Sequence, residues 1–243
     1  MDRIIKIALS IFIIVLVTFI ALVGYSAYTG NAYRTSLASY YSYTCTIATD
    51  SPLSNVTLFI PVPGDMNDNS PIIAQFSAQE ITGVPGAWTT TLYDTGKSTL
   101  VKITIPSLIP PAGTSHDHPY AVTLSTNISS QKMIDTRNPV GNSPMFRPVT
   151  DLTQTDCRDT TSTSGHPQCY AYLTSVYADY RSDPNAAVSI TSTLRGTNTW
   201  DLLGPQENEY HTDIYLLMLG ENHGWAPAKG YLEKGIGSDD PAL

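Results

Sequence analysis

The chain has 243 residues, of which 14% are charged, and its formal net charge is -8 at pH 7. An acidic excess disfavours binding to phosphate backbones, so we expect no nucleic-acid partner. The hydrophobic share of 42% is large enough for a packed core and argues against a disordered chain.

The first element in chain order is the segment Ile4–Val23, which is apolar apart from Lys6, Ser10 and Thr18. A helix rises about 1.5 Å per residue, so this segment spans roughly 30 Å, the thickness of the hydrocarbon core of a bilayer. We therefore predict a retained anchor that contacts the bilayer through residues 4–23. A cleaved export signal, whose apolar region is about 7–15 residues long, and a buried core helix are the alternatives.

The basic residues around this segment predict its orientation. Arg3 and Lys6 precede the apolar run, and Arg34 is the first charged residue after it. The positive-inside rule then places the N-terminus in the cytoplasm and the rest of a single-pass cell-membrane protein outside. The predicted parts are a cytoplasmic tip with a signal-anchor helix (1–30), a stalk (31–39) and an extracytoplasmic β-rich domain (40–243).

Short alternating segments separated by turns predict that the domain is mainly β. The Tyr170–Tyr180 segment fits either a short helix or a strand, and Met133–Cys169 is a long irregular excursion. Many short strands at this spacing are typical of an antiparallel β-sandwich-like, Ig-like fold. The predicted strands are Tyr40–Thr49, Asn55–Val62, Trp88–Tyr93, Thr99–Ile105, Pro119–Thr126, Val188–Leu194, Thr199–Leu203, Glu209–Leu219 and Tyr231–Ile236.

Three cysteines allow one intramolecular disulfide. Cys157 and Cys169 bracket the polar loop "CRDTTSTSGHPQC", and we predict that they pair, since disulfides persist outside the cytoplasm. Closing so short a loop stabilises the fold by about 3 kcal/mol in the chain-entropy model. We interpret Cys45, in the strand-like run "YSYTCTIAT", as a small buried hydrophobe, with an intermolecular disulfide as the alternative.

Two Asn-X-Ser/Thr triplets mark potential N-glycosylation. They are "NVT" at Asn55 and "NIS" at Asn127. An external domain would expose both to the modifying machinery, so we predict a glycoprotein.

Two segments offer metal-ligand spacing, although we expect no cofactor. His116 and His118 in "SHDHP" would face the same way in a strand and suit Zn²⁺ or Cu²⁺, with His211, Asp213 or Glu221 as a third ligand. A Pro-flanked polar loop is the alternative that we favour.

The second segment, "GDMNDNS", places oxygen ligands at Asp65, Asn67, Asp68 and Asn69, like the start of a Ca²⁺ loop. The sixth position is Ser70 rather than Gly, and no Glu closes the loop. We therefore favour a turn rich in Asp and Asn.

No catalytic motif supports an enzyme. The sequence has no H-E-x-x-H, P-loop or dinucleotide fingerprint, and "GNSPM" lacks the second Gly of a nucleophile elbow. Trp88, Trp200 and Trp225 suit a carbohydrate-binding face or a core, and we favour the core.

The layout resembles that of one group of proteins. "YSYTCTIATDSPLSNVTLFIPVP", "GVPGAWTTTLYDTGKSTLVKIT" and "RNPVGNSP" are similar to segments of membrane-anchored surface proteins of archaea, particularly methanogens. That group has no assigned activity, so the resemblance implies location and broad fold only.

Together these observations predict a non-enzymatic surface or accessory protein that works through protein–protein contact in an envelope or membrane complex. A ligand- or metal-binding ectodomain, a pilin-like filament subunit and a surface hydrolase are the alternatives.

Overall fold

The computed structural model describes residues 2–67, 69–96, 98–158 and 165–239. Asp68, which the sequence analysis assigned to a turn rich in Asp and Asn, lies outside the described residues, as does Lys97. One long helix, α1 (Asp2–Ser36), precedes a β-domain with two short helices, α2 (Pro71–Ala78) and α3 (Pro139–Asn142). The strands are β1 (Ala38–Thr49), β2 (Leu53–Pro61), β3 (Thr89–Asp94), β4 (Thr99–Leu108), β5 (Tyr120–Ser130), β6 (Thr150–Thr155), β7 (Gly165–Arg181), β8 (Ala187–Asp201), β9 (Pro205–Leu219) and β10 (Asn222–Gly237).

All the strand pairs are antiparallel and form one curled sheet in the order β3-β4-β2-β7-β10-β9-β8-β1-β5, with β6 beside β7. The β9–β10 ladder covers only Asn208–Tyr215 and Lys229–Gly237. Beyond it, β10 continues along β7 while β9 continues along β8. The sheet thus opens into two halves, which confirms the predicted antiparallel sandwich-like fold.

The core lies between these halves. In β9 the side chains predicted to share one face are all buried, and the partner strand β8 alternates in the same way. Helix α2 closes the gap between the outermost strands: Gln75 Oε1 accepts a hydrogen bond from Thr126 of β5, and Phe76 packs edge-on against Tyr43. The buried face of β9 consists of Asn208, Tyr210, Thr212, Ile214, Leu216 and Met218.

The predicted turn "RGTN" after Leu194 is wrong, because β8 runs through it without interruption. Gly196 lies under the ring of Tyr210, and a Cβ at Gly196 would come within 2.4 Å of that ring. The glycine therefore makes room for an aromatic ring rather than for a turn. The ambiguous segment Tyr170–Tyr180 is part of strand β7.

The Met133–Cys169 excursion is more regular than predicted, since it contains α3 and β6 and ends within β7. Its first part contributes to the core through Met145 and Phe146, which are fully buried. The backbone N–H of Ile134 donates a hydrogen bond to Asn198 Oδ1, and its carbonyl accepts one from Asn198 Nδ2, both at 2.9 Å. The excursion therefore covers one end of the sandwich.

Helix α1 lies outside the core. Among the described residues it is the one helix that is long and apolar enough to span a membrane. Its apolar side chains are exposed, so the buried core-helix alternative is wrong. At about 1.5 Å per residue its 35 residues extend roughly 52 Å, and the helix includes most of the predicted stalk.

The C-terminal turn of α1 packs against the domain. Tyr33 is buried edge-on against Trp200, and its hydroxyl lies 3.1 Å from Met133 Sδ. Ser36 Oγ accepts a hydrogen bond of 2.9 Å from the Asp201 backbone. The helix is thus joined to the domain by side-chain packing as well as by the chain.

Candidate interaction surface

Four aromatic side chains form a continuous row on the outer face of the half-sheet β3-β4-β2-β7-β10. They are Tyr93, Phe59, Tyr177 and Trp225, and we call them the aromatic row. Successive ring centroids are 5.4, 5.4 and 5.5 Å apart, and each pair meets edge to face. Such contacts stabilise the pair by about 0.5–1.5 kcal/mol beyond the buried area.

Strand register brings these rings together. Tyr177 of β7 lies directly opposite both Phe59 of β2 and Trp225 of β10. Directly paired residues project to the same face of a sheet. Lys102 of β4 lies opposite Phe59 on its other side and places its ammonium group 5.8 Å from the ring centroid, a cation–π contact.

The two ends of the row are open to solvent. Trp225 is 59% exposed and Tyr93 is 53% exposed, whereas Phe59 and Tyr177 are half-buried between them. Exposed apolar side chains that occur singly are ordinary, but a contiguous group marks a contact site. Trp and Tyr are also the residues that contribute most to binding in protein interfaces.

Trp225, at one end of the row, lies at the end of the domain opposite α1. Ala38, next to α1, pairs with Thr199 near the end of β8. The other end of β8 begins at Ala187, which pairs with Leu219 just before the turn into β10. Trp225 follows that turn and is therefore distal to the helix.

Charged groups flank Trp225. His223 Nδ1 lies 2.7 Å from Asp179 and its Nε2 lies 3.3 Å from Glu221. The hydrogen bond with Asp179, followed by that with Glu221, raises the pKa of His223 above its ordinary value. The edge of the row is thus acidic with a histidine whose charge responds to pH.

The predicted histidine pair lies in an exposed loop rather than in a strand. His116 Nδ1 is 3.2 Å from Asp50, and the backbone of His118 is held in a turn by Ser115. Neither histidine belongs to a group of three converging ligands among the described residues; the one such group is Cys157, Cys169 and Glu233.

The predicted oxygen-rich loop is organised as a turn by Asp65. Its Oδ1 accepts hydrogen bonds from the backbone of Asn67 at 2.7 Å and Asn69 at 2.9 Å. Asp65 and Asn69 also line a groove of about 790 Å³ beside Tyr41. Burial raises the pKa of Tyr41 to about 12, so the phenol stays protonated there. The Ca²⁺ and Zn²⁺ sites stay predictions.

The cysteine predictions are confirmed. Cys157 and Cys169 form a disulfide with a Cα–Cα distance of 5.2 Å. Cys45 is free and fully buried, and burial raises the pKa of its thiol to about 11. Asn55 and Asn127 are both exposed, which leaves their glycosylation a prediction.

The tryptophan prediction holds for two of three residues. Trp88 and Trp200 are buried as expected, but Trp225 is not in the core. The sequence analysis missed Phe59, Tyr93 and Tyr177, because it assigned their strands without distinguishing inner from outer positions. Strand alternation was the available signal. Phe59 and Tyr177 are out of phase with the buried residues of their strands, and Tyr93 is out of phase with the half-buried Thr90 and Leu92 of β3.

Comparison with known proteins found no relative: the chain matches no protein-family model, no curated protein and no solved structure.

Proposed function

We propose that this is a single-pass, membrane-anchored protein whose external β-domain holds the aromatic row as a contact site for a protein partner. The observation that carries the proposal is the row itself, solvent-exposed at both ends, with Trp225 distal to the membrane-length helix α1. The role is non-enzymatic and fits an accessory subunit of an envelope or membrane complex, as does the resemblance to archaeal surface proteins.

The junction supports a retained anchor over a cleaved signal. The small-residue cleavage site Gly30-Asn31-Ala32, like the Gly24-Tyr25-Ser26 triplet before it, lies within the unbroken helix α1. The next residue, Tyr33, packs against Trp200 of the domain. Cleavage after Ala32 would separate the helix from Tyr33, the residue that joins it to the domain. Retention keeps the helix and the domain in one unit. The basic residues Arg3 and Lys6 favour a cytoplasmic N-terminus.

The geometry of the row favours a protein partner over a polysaccharide, which is the second candidate. A sugar chain stacks on ring faces that share a plane, but successive rings of the row are inclined by 73°, 81° and 72°. Rings that alternate in this way form a ridged surface, which suits the interdigitating side chains of a protein interface.

The size of the native particle tests the proposal. Membranes from the native host are extracted in mild detergent, and wild type is compared with Trp225→Ala and Tyr93→Ala. Loss of a hot-spot aromatic from an interface weakens binding by about 2 kcal/mol or more, roughly 30-fold. We expect wild type in a larger assembly with defined partners, and both variants in a smaller particle.

Leu203→Ala is the matched control, because Leu203 is 80% exposed but lies in the β8–β9 turn next to α1. This variant is expected to stay in the wild-type particle. A monomeric wild type, or a Trp225→Ala particle of unchanged size, contradicts the proposal. Binding of a monomeric wild type to an insoluble cell-wall polysaccharide, lost in Trp225→Ala, would instead support the second candidate.

A further inference from the structure

Strand β9 has an open edge where the sheet divides into its two halves. The N–H of Gly220 donates a hydrogen bond to the Ala186 carbonyl, on the β8 side of the strand. Backbone groups of successive residues point to opposite sides of a strand, so Leu219 and Leu217 direct their N–H and C=O groups away from β8 and towards β10. The β9–β10 ladder ends before these two residues, and no backbone hydrogen bond reaches them from that side in the described part of the chain.

Pro227 explains why the edge is open. Continued beyond Lys229 and Tyr215, the register of the ladder would pair Pro227 with Leu217. Proline has no N–H, so it cannot donate the hydrogen bond that such a pair requires. Strand β10 continues instead along β7, where Ser175 lies opposite Pro227. The edge of β10 is thus closed to pairing at this point, whereas the edge of β9 keeps its donors and acceptors.

The open edge of β9 is apolar on both faces. In the segment "YLLML" (Tyr215–Leu219), Leu216 and Met218 face the core, while Leu217 is 50% exposed and Leu219 is 69% exposed. Strands that are apolar on both faces are typical of positions where both faces are covered. Exposed edges usually carry lysine, proline or other charged residues that prevent another strand from adding, and this segment has none. Such an edge is suited to pairing with another chain.

Acidic side chains lie at the distal end of this edge. Glu221 follows the turn at Gly220 and is about half exposed, and His223 joins it to Asp179, which is exposed to a similar extent. The whole chain has a net charge of -8. These charges favour an occupant with a basic residue at this end, and they disfavour a second copy of the chain, which has the same net charge.

We propose that the open edge of β9, Tyr215–Leu219, receives an extended segment of a protein partner as an added strand. The free N–H and C=O groups of Leu217 and Leu219 pair with its backbone, and the two leucine side chains contact its apolar residues. The segment carries apolar residues at alternate positions and a basic residue beside Glu221. This site rests on the proposed function, which supplies the partner, but it shares no residue with the aromatic row.

A synthetic peptide tests the edge on the full chain in detergent. The probe is a short, fluorescently labelled peptide of alternating valine and threonine with a lysine at each end. Its anisotropy is measured with the protein and with empty micelles. The matched control peptide is N-methylated at two consecutive central residues, so that both of its edges lose a donor. We expect saturable binding of the probe, and binding weaker by about 10-fold or more for the control.

The charge of the peptide is tested in the same assay. A probe with glutamate in place of both lysines is expected to bind more weakly than the lysine probe at low salt, because Glu221 and Asp179 repel it. Added salt should reduce this difference. Equal binding of the two probes at low salt overturns the basic character assigned to the partner.

Hydrogen exchange locates the bound peptide. Leu216 and Met218 direct their N–H groups to β8, on the same side as Gly220, so the amides of Leu217 and Leu219 are the ones free to gain protection. Mass spectrometry of the Tyr215–Leu219 segment should therefore show slower exchange at these two amides when the probe is bound. Protection confined to β3 or β5 would overturn the assignment to β9.

Two variants separate backbone pairing from side-chain contact. Leu217→Pro removes an N–H that makes no bond to β8, and Leu219→Ala removes an exposed apolar side chain. Each is expected to weaken binding of the probe by about 10-fold or more. Leu203→Ala, the same change at an exposed leucine in the β8–β9 turn, is expected to bind as wild type. Circular dichroism checks folding, and Leu219→Ala keeps the test decisive if Leu217→Pro does not fold.

Absence of binding by the folded wild type, or equal binding of the N-methylated control, overturns the added strand. Dimerisation of the chain that Leu219→Ala abolishes would show that a second copy occupies the edge, and it also overturns the proposal. The proposed function fails separately, if the native particle is a monomer. A native particle that loses its partner in Trp225→Ala, from a chain that does not bind the probe, refutes the added strand alone.

Discussion

Gly230 is the position at which a single added methyl group should be most informative. It lies in β10 directly opposite Tyr172 of β7, and the tyrosine ring covers it. A Cβ at Gly230 would come within 2.2 Å of Tyr172 Cε2 and 2.3 Å of Cζ. Ordinary contacts begin near 3.4 Å, so Gly230→Ala requires the ring to move by about 1 Å.

The ring is not free to make that movement. Tyr172 is 2% exposed, and its hydroxyl lies 2.8 Å from Thr212 Oγ1. Overpacking of a closed core costs about 1–3 kcal/mol, and losing a buried hydrogen bond adds about 1 kcal/mol. We expect Gly230→Ala to lower the free energy of unfolding by about 3 kcal/mol. For a domain of this size that corresponds to a fall in Tm of roughly 6–12 °C.

Thermal unfolding of wild type and variant, followed by circular dichroism, measures this difference. Gly86→Ala is the matched control, because a Cβ there meets no atom within 4 Å. Pairing Gly230→Ala with Tyr172→Ala should cost less than the sum of the single changes, since the clash is gone. A Gly230→Ala variant as stable as Gly86→Ala would refute the reasoning.

Three further outcomes follow from burial and charge. Cys45 should resist alkylation in the folded protein and react after unfolding, as its thiol is buried with a pKa of about 11; mass spectrometry counts the added groups. Because the pKa of His223 is raised, its charged form stabilises the fold below pH 6.5, and this stabilisation is lost as the pH rises through the raised pKa. Asp179→Asn should lower the pKa of His223, which an NMR titration of its ring protons measures. Trp200→Ala, which removes the packing partner of Tyr33, should make the α1 junction sensitive to limited proteolysis, whereas Trp225→Ala should leave it resistant.

Local patterns were sufficient to predict much of the fold. The alternation in Glu209–Leu219 identified every buried residue of that face, and the apolar Ile4–Val23 segment identified the exposed helix. Both features depend on periodicity within one element, which the sequence displays directly. The Cys157–Cys169 pair was also predictable, because only one close pair was available.

The features that depend on neighbouring strands were not predictable. Gly196 reads as a turn residue until Tyr210 is known to lie over it. Helix α2 has an N-cap at Ser70 and a proline at its first position, yet the preceding Asp- and Asn-rich turn obscured it. The aromatic row joins strands far apart in the chain, so it becomes visible only through sheet order and register.

The joint between α1 and the domain also bears on the kinetics of association. In the proposed membrane setting, residues 24–36 raise the domain by about 20 Å, and Tyr33 and Ser36 couple its tilt to that of the helix. The aromatic row then stays at a fixed distance from the bilayer. To meet a partner, the domain has only to diffuse laterally and rotate about the bilayer normal. A partner anchored in the same membrane meets it at a high effective concentration, with little orientational entropy left to lose on binding.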